Sequence, residues 1–194
     1  MSTRLDEAIK FATEKHTQQF RKRENTPYIL HPLEAAAIAA DLTKDEDVLI
    51  AAVLHDTVED TDTSIEEIQE KFGHRVAELV ASETEKKRED LPPEETWEIR
   101  KKDSLEHLRT TNDPAVKILW LADKVSNIRT IYKLYQKEGD SLWNHFNMKD
   151  IKKQAWYYRT ISDLLVDLED TLAYQEYKQI VDYIFRNVKE NEDD

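Results

Sequence analysis

Residues 48–61 read VLIAAVLHDTVEDT, and this stretch combines a candidate core helix with a group of charged side chains. Seven apolar residues run without a turn signal into His55 and Asp56, and Glu59 and Asp60 follow shortly after. An apolar run of this kind predicts a buried helix. Charged side chains are rare at the end of a buried stretch unless they have a partner. The stretch therefore predicts a functional site at the end of a core helix.

The composition favours an all-α protein. Among 194 residues there are only two glycines, while the helix formers Glu, Lys, Leu and Ala are abundant. The length suits one domain with a proper core. We therefore expect residues 1–194 to form a single-domain, all-α helical bundle. Its motif-bearing core would cover about residues 5–135, with C-terminal helices at about residues 149–188 packed on it.

Charge and cysteine content narrow the classes of function. The net charge of −13 at pH 7 predicts that neither nucleic acid nor a membrane surface is the main partner, because both are polyanionic. The sequence has no cysteine, so a metal ion would have to be held by His, Asp, Glu or water. The N-terminal segment lacks an apolar targeting core, and no apolar run reaches the roughly 20 residues that span a bilayer. We therefore expect a cytoplasmic protein.

Apolar spacing and capping signals predict the helices. In chain order these are a helix over about residues 3–19, one opened by His31-Pro32, one from Thr43 through the quoted stretch, one from Ser64 to near Gly73, one over 74–82, one over 97–108, one from Asp113-Pro114 to near Gly139, and two at about 149–170 and 174–188. Residues 82–96 contain a Pro-Pro pair and almost no apolar side chain. They predict the longest loop and a candidate lid.

A second strongly apolar helix also ends its buried run in an acid, in the sequence LWLAD at residues 119–123. Buried carboxylates cost several kcal/mol unless they are paired or bind a cation. Two such helices crossing in the core would bring their terminal acids and His55 together. With His31 at the start of another helix, the candidate ligands are His31, His55, Asp56 and Asp123. Two imidazoles and two carboxylates suit Mn²⁺, Fe²⁺ or Zn²⁺. The structural alternative is a His-Asp hydrogen bond that closes a helix interface, but the second buried acid favours the metal site.

Three separated motifs resemble one family. They are KHTQQFRKRENTPYILHP at residues 15–32, HDTVED at 55–60 and LADKVSN at 121–127. Over about residues 5–130 the chain resembles the HD phosphohydrolase superfamily, specifically the hydrolase domain of the RelA/SpoT-type alarmone enzymes and their small stand-alone relatives. The resemblance implies an HD-type helical bundle.

The resemblance also implies a role for each matching residue. The ligands of a single divalent ion, usually Mn²⁺, would be His31, His55, Asp56 and Asp123. Glu59 and Asp60 match the acidic pair that orients or deprotonates the attacking water, and their spacing would put them one helical turn beyond His55 and Asp56. The matching substrate contacts are Arg21, Lys22 and Asn127.

Other residues have weaker assignments. Lys124 would help to neutralise substrate phosphates, and Lys86 would lie in a charged loop near the pocket. His16 is expected to line the pocket or the core rather than to bind the metal. The remaining histidines are expected at the surface or in packing: His74, His107 and His145. An aromatic run at helical spacing is expected in the core: Trp156, Tyr157 and Tyr158.

The function that the resemblance implies is hydrolysis of (p)ppGpp at its 3′-diphosphate, with release of pyrophosphate from this small nucleotide. One alternative keeps the chemistry and changes the substrate to NADPH, hydrolysed at its 2′-phosphate, to a nucleoside tetraphosphate, or to a nucleoside monophosphate. The acidic pair Glu59 and Asp60 disfavours the monophosphate. An alternative of another class is a non-catalytic nucleotide-binding regulator. Residues 83–90, 142–146 and 154–161 depart from the alarmone enzymes and resemble small stand-alone HD proteins. The sequence leaves the oligomeric state open.

Overall fold

The computed structural model describes residues 3–21, 25–85 and 91–189. These residues form α-helices, short 3₁₀-helices and turns, and among them the only strand-like pairing is an isolated bridge between Phe20 and Pro27. The all-α prediction is confirmed. No helix within these ranges combines the length and the apolar character needed to cross a membrane.

The helices of the described residues fall into two compact units. In chain order the α-helices are α1 (Arg4–Lys15), α2 (Leu30–Leu42), α3 (Glu46–Leu54), α4 (Thr57–Asp60), α5 (Ile65–Phe72), α6 (His74–Glu83), α7 (Pro93–Thr110), α8 (Pro114–Glu138), α9 (Ile151–Leu164) and α10 (Leu172–Ile184), with 3₁₀-helices at Gly139–His145 and Val166–Leu168. One unit comprises Met1–Glu85 with Asn112–Ser126, and the other comprises Lys86–Thr111 with Asn127–Asp194. The expectation of a single domain stays a prediction.

The first unit is built around α3. This helix contacts α1, α2 and α6, and α5 packs on α6. Five successive residues of α3 are fully buried: Ile50, Ala51, Ala52, Val53 and Leu54. Burial of one Leu or Ile side chain contributes roughly 1.5–3 kcal/mol. The packing therefore fixes the C-terminal end of α3, where His55 and Asp56 follow.

The second unit has an aromatic core around α9, which contacts α7 and α10. Tyr157 lies 5.9 Å from Trp97 between ring centroids, and Tyr158 lies 5.9 Å from Phe185. Both tyrosines are buried, as predicted. Trp156 is 37% exposed, so the prediction that it lies in the core is wrong. The helical spacing turns this side chain away from the buried face.

Two predicted helix starts and one predicted end are confirmed. The side chain of Ser64 accepts a hydrogen bond from the N–H of Glu67 at the start of α5. Asp113 Oδ1 accepts a hydrogen bond of 3.0 Å from the N–H of Ala115 at the start of α8. Gly73 ends α5 with a φ of 96°. This backbone conformation is unfavourable for residues other than glycine.

Other helix boundaries differ from the prediction. α1 ends at Lys15 rather than near residue 19, and the chain turns away at Gln18, which has a left-handed φ of 63°. The cap of α3 is Asp45, whose side chain accepts from a backbone N–H, and not Thr43. An Asp next to the first turn competes well for this position because its short carboxylate reaches the exposed N–H groups.

The predicted loop and the predicted helix near the C-terminus are both shorter. α6 extends to Glu83 and α7 begins at Pro93, so the helices enter the predicted loop 82–96 from both sides. Proline is well tolerated at this first helical position because its missing N–H has no helical acceptor there. The helix predicted over 149–170 ends at Leu164 and is followed by a 3₁₀-helix.

The largest departure is a break in the helix of the quoted stretch. α3 ends at Leu54, and the single-turn helix α4 begins at Thr57. His55 Nδ1 donates to the carbonyl of Ala52 at 2.8 Å, and Thr57 Oγ1 donates to the carbonyl of Leu54 at 2.6 Å. These side chains occupy acceptors at the helix end, where carbonyls lack helical partners. His55 and Glu59 therefore do not lie one turn apart on a continuous helix.

Candidate active site

Three elements of the first unit bring the predicted metal ligands together. His31 is the second residue of α2, with Pro32 directly after it in the same first turn. His55 is the residue at which α3 ends, and Asp56 follows it. Asp123 comes from α8. The side chains of both histidines and of Asp123 are at most 5% exposed, and that of Asp56 is 17% exposed.

The imidazole Nε2 atoms of both histidines face the same two carboxylates. Nε2 of His31 lies 3.0 Å from Asp123 Oδ1 and 3.3 Å from Asp56 Oδ2. Nε2 of His55 lies 3.4 Å from Asp123 Oδ1 and 3.1 Å from Asp56 Oδ2. The ring centroids of the histidines are 5.1 Å apart. Four side chains thus direct one atom each to a common point.

The hydrogen bonds behind each imidazole fix its tautomer. Nδ1 of His55 lies against the Ala52 carbonyl, which can only accept, so Nδ1 carries the proton. The hydroxyl of Ser126 donates to Glu34 at 2.7 Å, so its oxygen is left to accept from Nδ1 of His31 at 2.8 Å. In the neutral imidazoles, Nε2 therefore carries a lone pair. Carboxylate or carbonyl groups behind a ligating histidine are typical of metal sites.

This arrangement fits a divalent cation. One ligand atom from each of His31, His55 and Asp123 lies within 4.8 Å of the others. Nε2 of His55 is buried and has no hydrogen-bond partner, although a buried polar atom without a partner is costly. Two lone-pair nitrogens and carboxylate oxygens form an N/O ligand set for a transition metal.

The electrostatics of the cluster also favour a cation. Burial by itself lowers the pKa of His55, but the carboxylates of Asp56 and Asp123 outweigh it and raise that pKa well above its ordinary value. Burial raises the pKa of Asp56, yet the two imidazoles reverse this and hold it well below its ordinary value. The site thus stabilises positive charge between its carboxylates. A bound cation can supply that charge in place of a proton.

The predicted acidic pair lies on α4, directly after the cluster. The N–H of Asp60 donates to the carbonyl of Asp56 at 2.9 Å, so these two residues are one helical turn apart, as predicted. Glu59 is half-buried, and its Oε2 accepts from the N–H of Glu85 at 3.4 Å. Burial, together with the negative charges of Glu85, Asp56 and Asp60, raises the pKa of Glu59 to about 7. A carboxylate with such a pKa can exchange protons near neutral pH.

Tyr28, which was not predicted from the sequence, links the metal-ligand cluster to the acidic pair. Its hydroxyl lies 2.8 Å from Asp56 Oδ2 and 3.0 Å from Asp60 Oδ2. Burial, followed by the two carboxylates, raises the pKa of Tyr28 far above its ordinary value, so the phenol keeps its proton and donates. The available signal was the spacing of Tyr28 and His31, which are three residues apart at the start of α2.

His16 supports this tyrosine instead of joining the metal cluster. It is buried, as predicted, and its ring lies 5.0 Å from that of Tyr28. Gln19 bridges to the acidic pair, because its Nε2 donates to the backbone carbonyl of Asp60 at 2.8 Å. The amide oxygen of Gln19 is then available to accept from Nδ1 of His16 at 2.8 Å.

A buried glutamate near the cluster was also missed. Glu83, at the end of α6, has a side chain only 3% exposed, and its Oε2 lies 3.6 Å from Nζ of Lys124. Lys124 also contacts Asp123 Oδ2. Glu83 was assigned in sequence to a charged loop because the residues after it are strongly polar. The helix that carries it was predicted to stop at residue 82.

The structure describes only part of the predicted substrate-binding set. Arg21 lies in the loop between α1 and α2, where its N–H donates to the carbonyl of Thr26 at 2.9 Å. Lys22 and Lys86 lie outside the described residues. Asn127 belongs to α8 but falls in the second unit. The substrate-binding assignments stay predictions.

The other three histidines have surface positions or ion pairs of their own. His74 pairs with Glu78 at 3.2 Å, and His145 pairs with Glu138 at 3.0 Å. His74 and His107 are exposed. The prediction of surface or packing roles is confirmed for these three residues.

Comparisons with known proteins identify the family of this chain. A family model described as HD domain matches residues 8–150. A guanosine-3′,5′-bis(diphosphate) 3′-pyrophosphohydrolase of Aquifex aeolicus is 44% identical over 66% of this chain, which spans 18% of that protein. The protein of the same description, MESH1, from Xenopus tropicalis is 39% identical over 92% of this chain and 91% of its own length.

Solved structures show the same fold. A metazoan orthologue of SpoT that hydrolyses ppGpp matches with a TM-score of 0.69 and 28% identity, over 96% of both chains. A protein from Listeria monocytogenes matches with a TM-score of 0.69 and 34% identity, over 80% of this chain and 99% of its own. The predicted HD-type helical fold is confirmed. This chain therefore belongs to the HD-domain family and is a relative of the guanosine-3′,5′-bis(diphosphate) 3′-pyrophosphohydrolases.

Proposed function

We propose that this chain is a metal-dependent (p)ppGpp 3′-pyrophosphohydrolase, which hydrolyses the 3′-diphosphate of a small nucleotide and releases pyrophosphate. The observation that carries the proposal is the buried cluster in which Nε2 of His31 and Nε2 of His55 face Asp123 Oδ1. Relatives over nearly the whole chain bear the name of this activity, which supports the choice of substrate.

The HD-domain family implies a divalent cation, and this chain has residues to hold one. His31, His55 and Asp123 form the core of the ligand set, and Asp56 would be the fourth ligand through Oδ2. A set of nitrogen and oxygen atoms without thiolates suits Mn²⁺, with Fe²⁺ or Zn²⁺ as alternatives. When bound, the cation supplies Lewis-acid polarisation of a phosphoryl oxygen and activation of water.

Glu59 is proposed as the general base. Its pKa of about 7 allows it to accept a proton from the attacking water near neutral pH and to release it again. Asp60 would orient the same water. Because Tyr28 donates to both Asp56 and Asp60, it would hold the second carboxylate in a fixed relation to the metal ligands.

Substrate phosphates would be bound by cationic side chains at the entrance of the site. Arg21 lies in the loop after α1, and a guanidinium matches the geometry of phosphate oxygens. Lys22, the next residue in the sequence, is proposed as the second cation. Asn127, one turn after Asp123 on α8, would supply an amide. Lys86 is proposed as a further phosphate contact.

One assay tests the proposal. Protein loaded with Mn²⁺ is incubated with ppGpp, NADPH, a nucleoside tetraphosphate and a nucleoside 5′-monophosphate, and orthophosphate and pyrophosphate are measured separately. Release of pyrophosphate from ppGpp is the expected result. Orthophosphate from NADPH alone would replace the proposed substrate. Binding of ppGpp without turnover of any compound would favour a nucleotide-binding regulator.

Two variants test the roles within the site. Asp123→Ala should lose both Mn²⁺ binding and turnover, because it removes a ligand atom that faces both imidazoles. Glu59→Gln should keep Mn²⁺ binding and lose turnover by roughly 100-fold or more, because the amide cannot accept the proton. An unchanged rate in Glu59→Gln would reject the proposed base.

A further inference from the structure

The ammonium group of Lys124 lies between two buried carboxylates of the first unit. Nζ contacts Asp123 Oδ2 and lies 3.6 Å from Glu83 Oε2. It also lies 4.6 Å from the centre of the Trp120 ring, within the range of a cation–π interaction. The side chain of Lys124 is only 13% exposed, and those of Asp123 and Glu83 are 5% and 3% exposed.

The two oxygens of Asp123 have different partners. Oδ1 faces the imidazoles of His31 and His55, whereas Oδ2 contacts Lys124. The carboxylate is therefore held at both ends, and its orientation toward the histidines depends on the ammonium group. The carboxylate of Asp123 therefore interacts with the positive charge of Lys124 at Oδ2 and would interact with that of a metal ion at Oδ1.

Glu83 is the second carboxyl group beside the ammonium group of Lys124. Its Oε1 is buried and has no hydrogen-bond partner, so the side chain is not held by other groups at that oxygen. Burial raises the pKa of Glu83 to about 8, although Lys124 opposes the shift. Asp123 is the nearer partner, because its Oδ2 is in direct contact with Nζ of Lys124, whereas Glu83 Oε2 lies 3.6 Å away.

We propose that Lys124 is a positioning residue and the built-in counter-cation of Asp123, and that it does not bind substrate phosphate. It stabilises the site before a metal ion binds and competes electrostatically with that ion afterwards. To reach a phosphate, the ammonium group would have to leave Asp123, the edge of Glu83 and the Trp120 ring together. Removal of one partner from a buried ion pair is strongly unfavourable.

This inference rests on the proposed metal site, and the test separates the two. Lys124→Met removes the charge and keeps most of the apolar stem. Lys133→Met removes the same charge from an exposed position on α8 and is the matched control. For each protein, the melting temperature without metal and the Kd for Mn²⁺ are measured by scanning calorimetry and titration calorimetry.

Lys124→Met is expected to melt about 5 °C or more below the wild type without metal. It is also expected to bind Mn²⁺ about tenfold more tightly, because a positive charge close to a ligand carboxylate has been removed. Lys124→Arg keeps the charge and should restore both values toward the wild type. Lys133→Met should change neither.

Two results would overturn the inference. The first is a Lys124→Met protein with the melting temperature and Mn²⁺ affinity of the control and a raised KM, which would make Lys124 a substrate ligand. The second is weaker Mn²⁺ binding by Lys124→Met, which would make orientation of Asp123 its only role. If the wild type itself binds no Mn²⁺, the metal site fails instead. Should Lys124→Met not fold, Lys124→Gln, which keeps a donor without the charge, takes its place with the same expected shifts.

Discussion

The hydroxyl oxygen of Ser126 lies 2.8 Å from Nδ1 of His31, although the two residues are 95 positions apart in the sequence. The hydroxyl proton is committed to Glu34, so the oxygen accepts from the imidazole. Because Nδ1 of His31 carries the proton, Nε2 has the lone pair, and it faces the carboxylates of Asp56 and Asp123. Ser126, the sixth residue of LADKVSN, thus selects the tautomer of a proposed metal ligand.

Ser126→Ala is therefore expected to weaken Mn²⁺ binding by roughly 10–100-fold, which is the usual cost of losing a partner behind a ligating histidine. Isothermal titration calorimetry measures the change. Ser162→Ala is the matched control, because Ser162 is also buried but its hydroxyl bonds a carbonyl of the second unit. Equal affinities for wild type and Ser126→Ala would contradict this role.

Tyr28→Phe is expected to lower kcat by roughly 10–100-fold, the worth of a hydrogen bond to a charged group. The aromatic ring and its contact with His16 remain, but the donor to Asp56 and Asp60 is lost. Steady-state turnover with Mn²⁺ checks this. Tyr174→Phe is the control, since its hydroxyl donates to the Ser162 carbonyl. The role of Tyr28 would be rejected if both variants had wild-type kcat.

The rate should fall on the acid side of neutral pH. Glu59 must be deprotonated to act as a base, and its pKa is raised to about 7, so activity is present above that pH and is lost as pH falls through the pKa. A bound cation favours the carboxylate form, which places the acid limb between about 4.5, the ordinary value, and about 7. A pH profile of kcat measures it.

The variant Glu85→Gln tests whether Glu59 sets the acid limb of the pH profile of kcat. After burial, the charge of Glu85 is the largest cause of the raised pKa of Glu59, and the backbone N–H that Glu59 accepts from is unchanged. The acid limb should therefore move to lower pH in this variant. Glu66→Gln, at an exposed position of α5, should leave the limb in place. A limb at the same pH in all three proteins would show that Glu59 does not set it.

Metal binding should weaken as pH falls, and this should begin above pH 6.5. The pKa of His55 is raised well above its ordinary value in the metal-free site, and a protonated imidazole cannot bind the ion. Protons thus compete with Mn²⁺ already at pH values where an ordinary histidine is neutral. Titrations from pH 8.5 to 6 measure the effect, with His74→Gln as a control. A flat Kd over this range would reject His55 as a ligand.

The cluster itself could be predicted from the sequence because each ligand is attached to a recognisable pattern. The apolar residues 48–54 predict a buried helix. Because this helix ends in His55 and Asp56, these side chains need a partner for their charges. The same reasoning found Asp123 at the end of another apolar run. The structure brings these residues together with His31, as predicted.

The supporting residues were not predicted, because apart from the spacing of Tyr28 and His31 nothing in their local sequence indicates what they face. Tyr28, Glu83 and Ser126 are single polar residues in helical or loop segments. Their roles depend on contacts with residues between 28 and 95 positions away. The break between α3 and α4 was missed for a related reason. Helical periodicity continues through the break, whereas the side chains of His55 and Thr57 take the carbonyls at the helix end.

The sequence alone determined the all-α fold, the buried course of α3 and the identity of the candidate ligands, because apolar periodicity and residue chemistry are local properties. Packing between distant segments determined which nitrogen of His31 is available, which oxygen of Asp123 faces the site, and that Lys124 lies against the buried carboxylate of Glu83. These features depend on distances between segments far apart in the chain. The packing of α2, α6 and α8 in the first unit sets those distances.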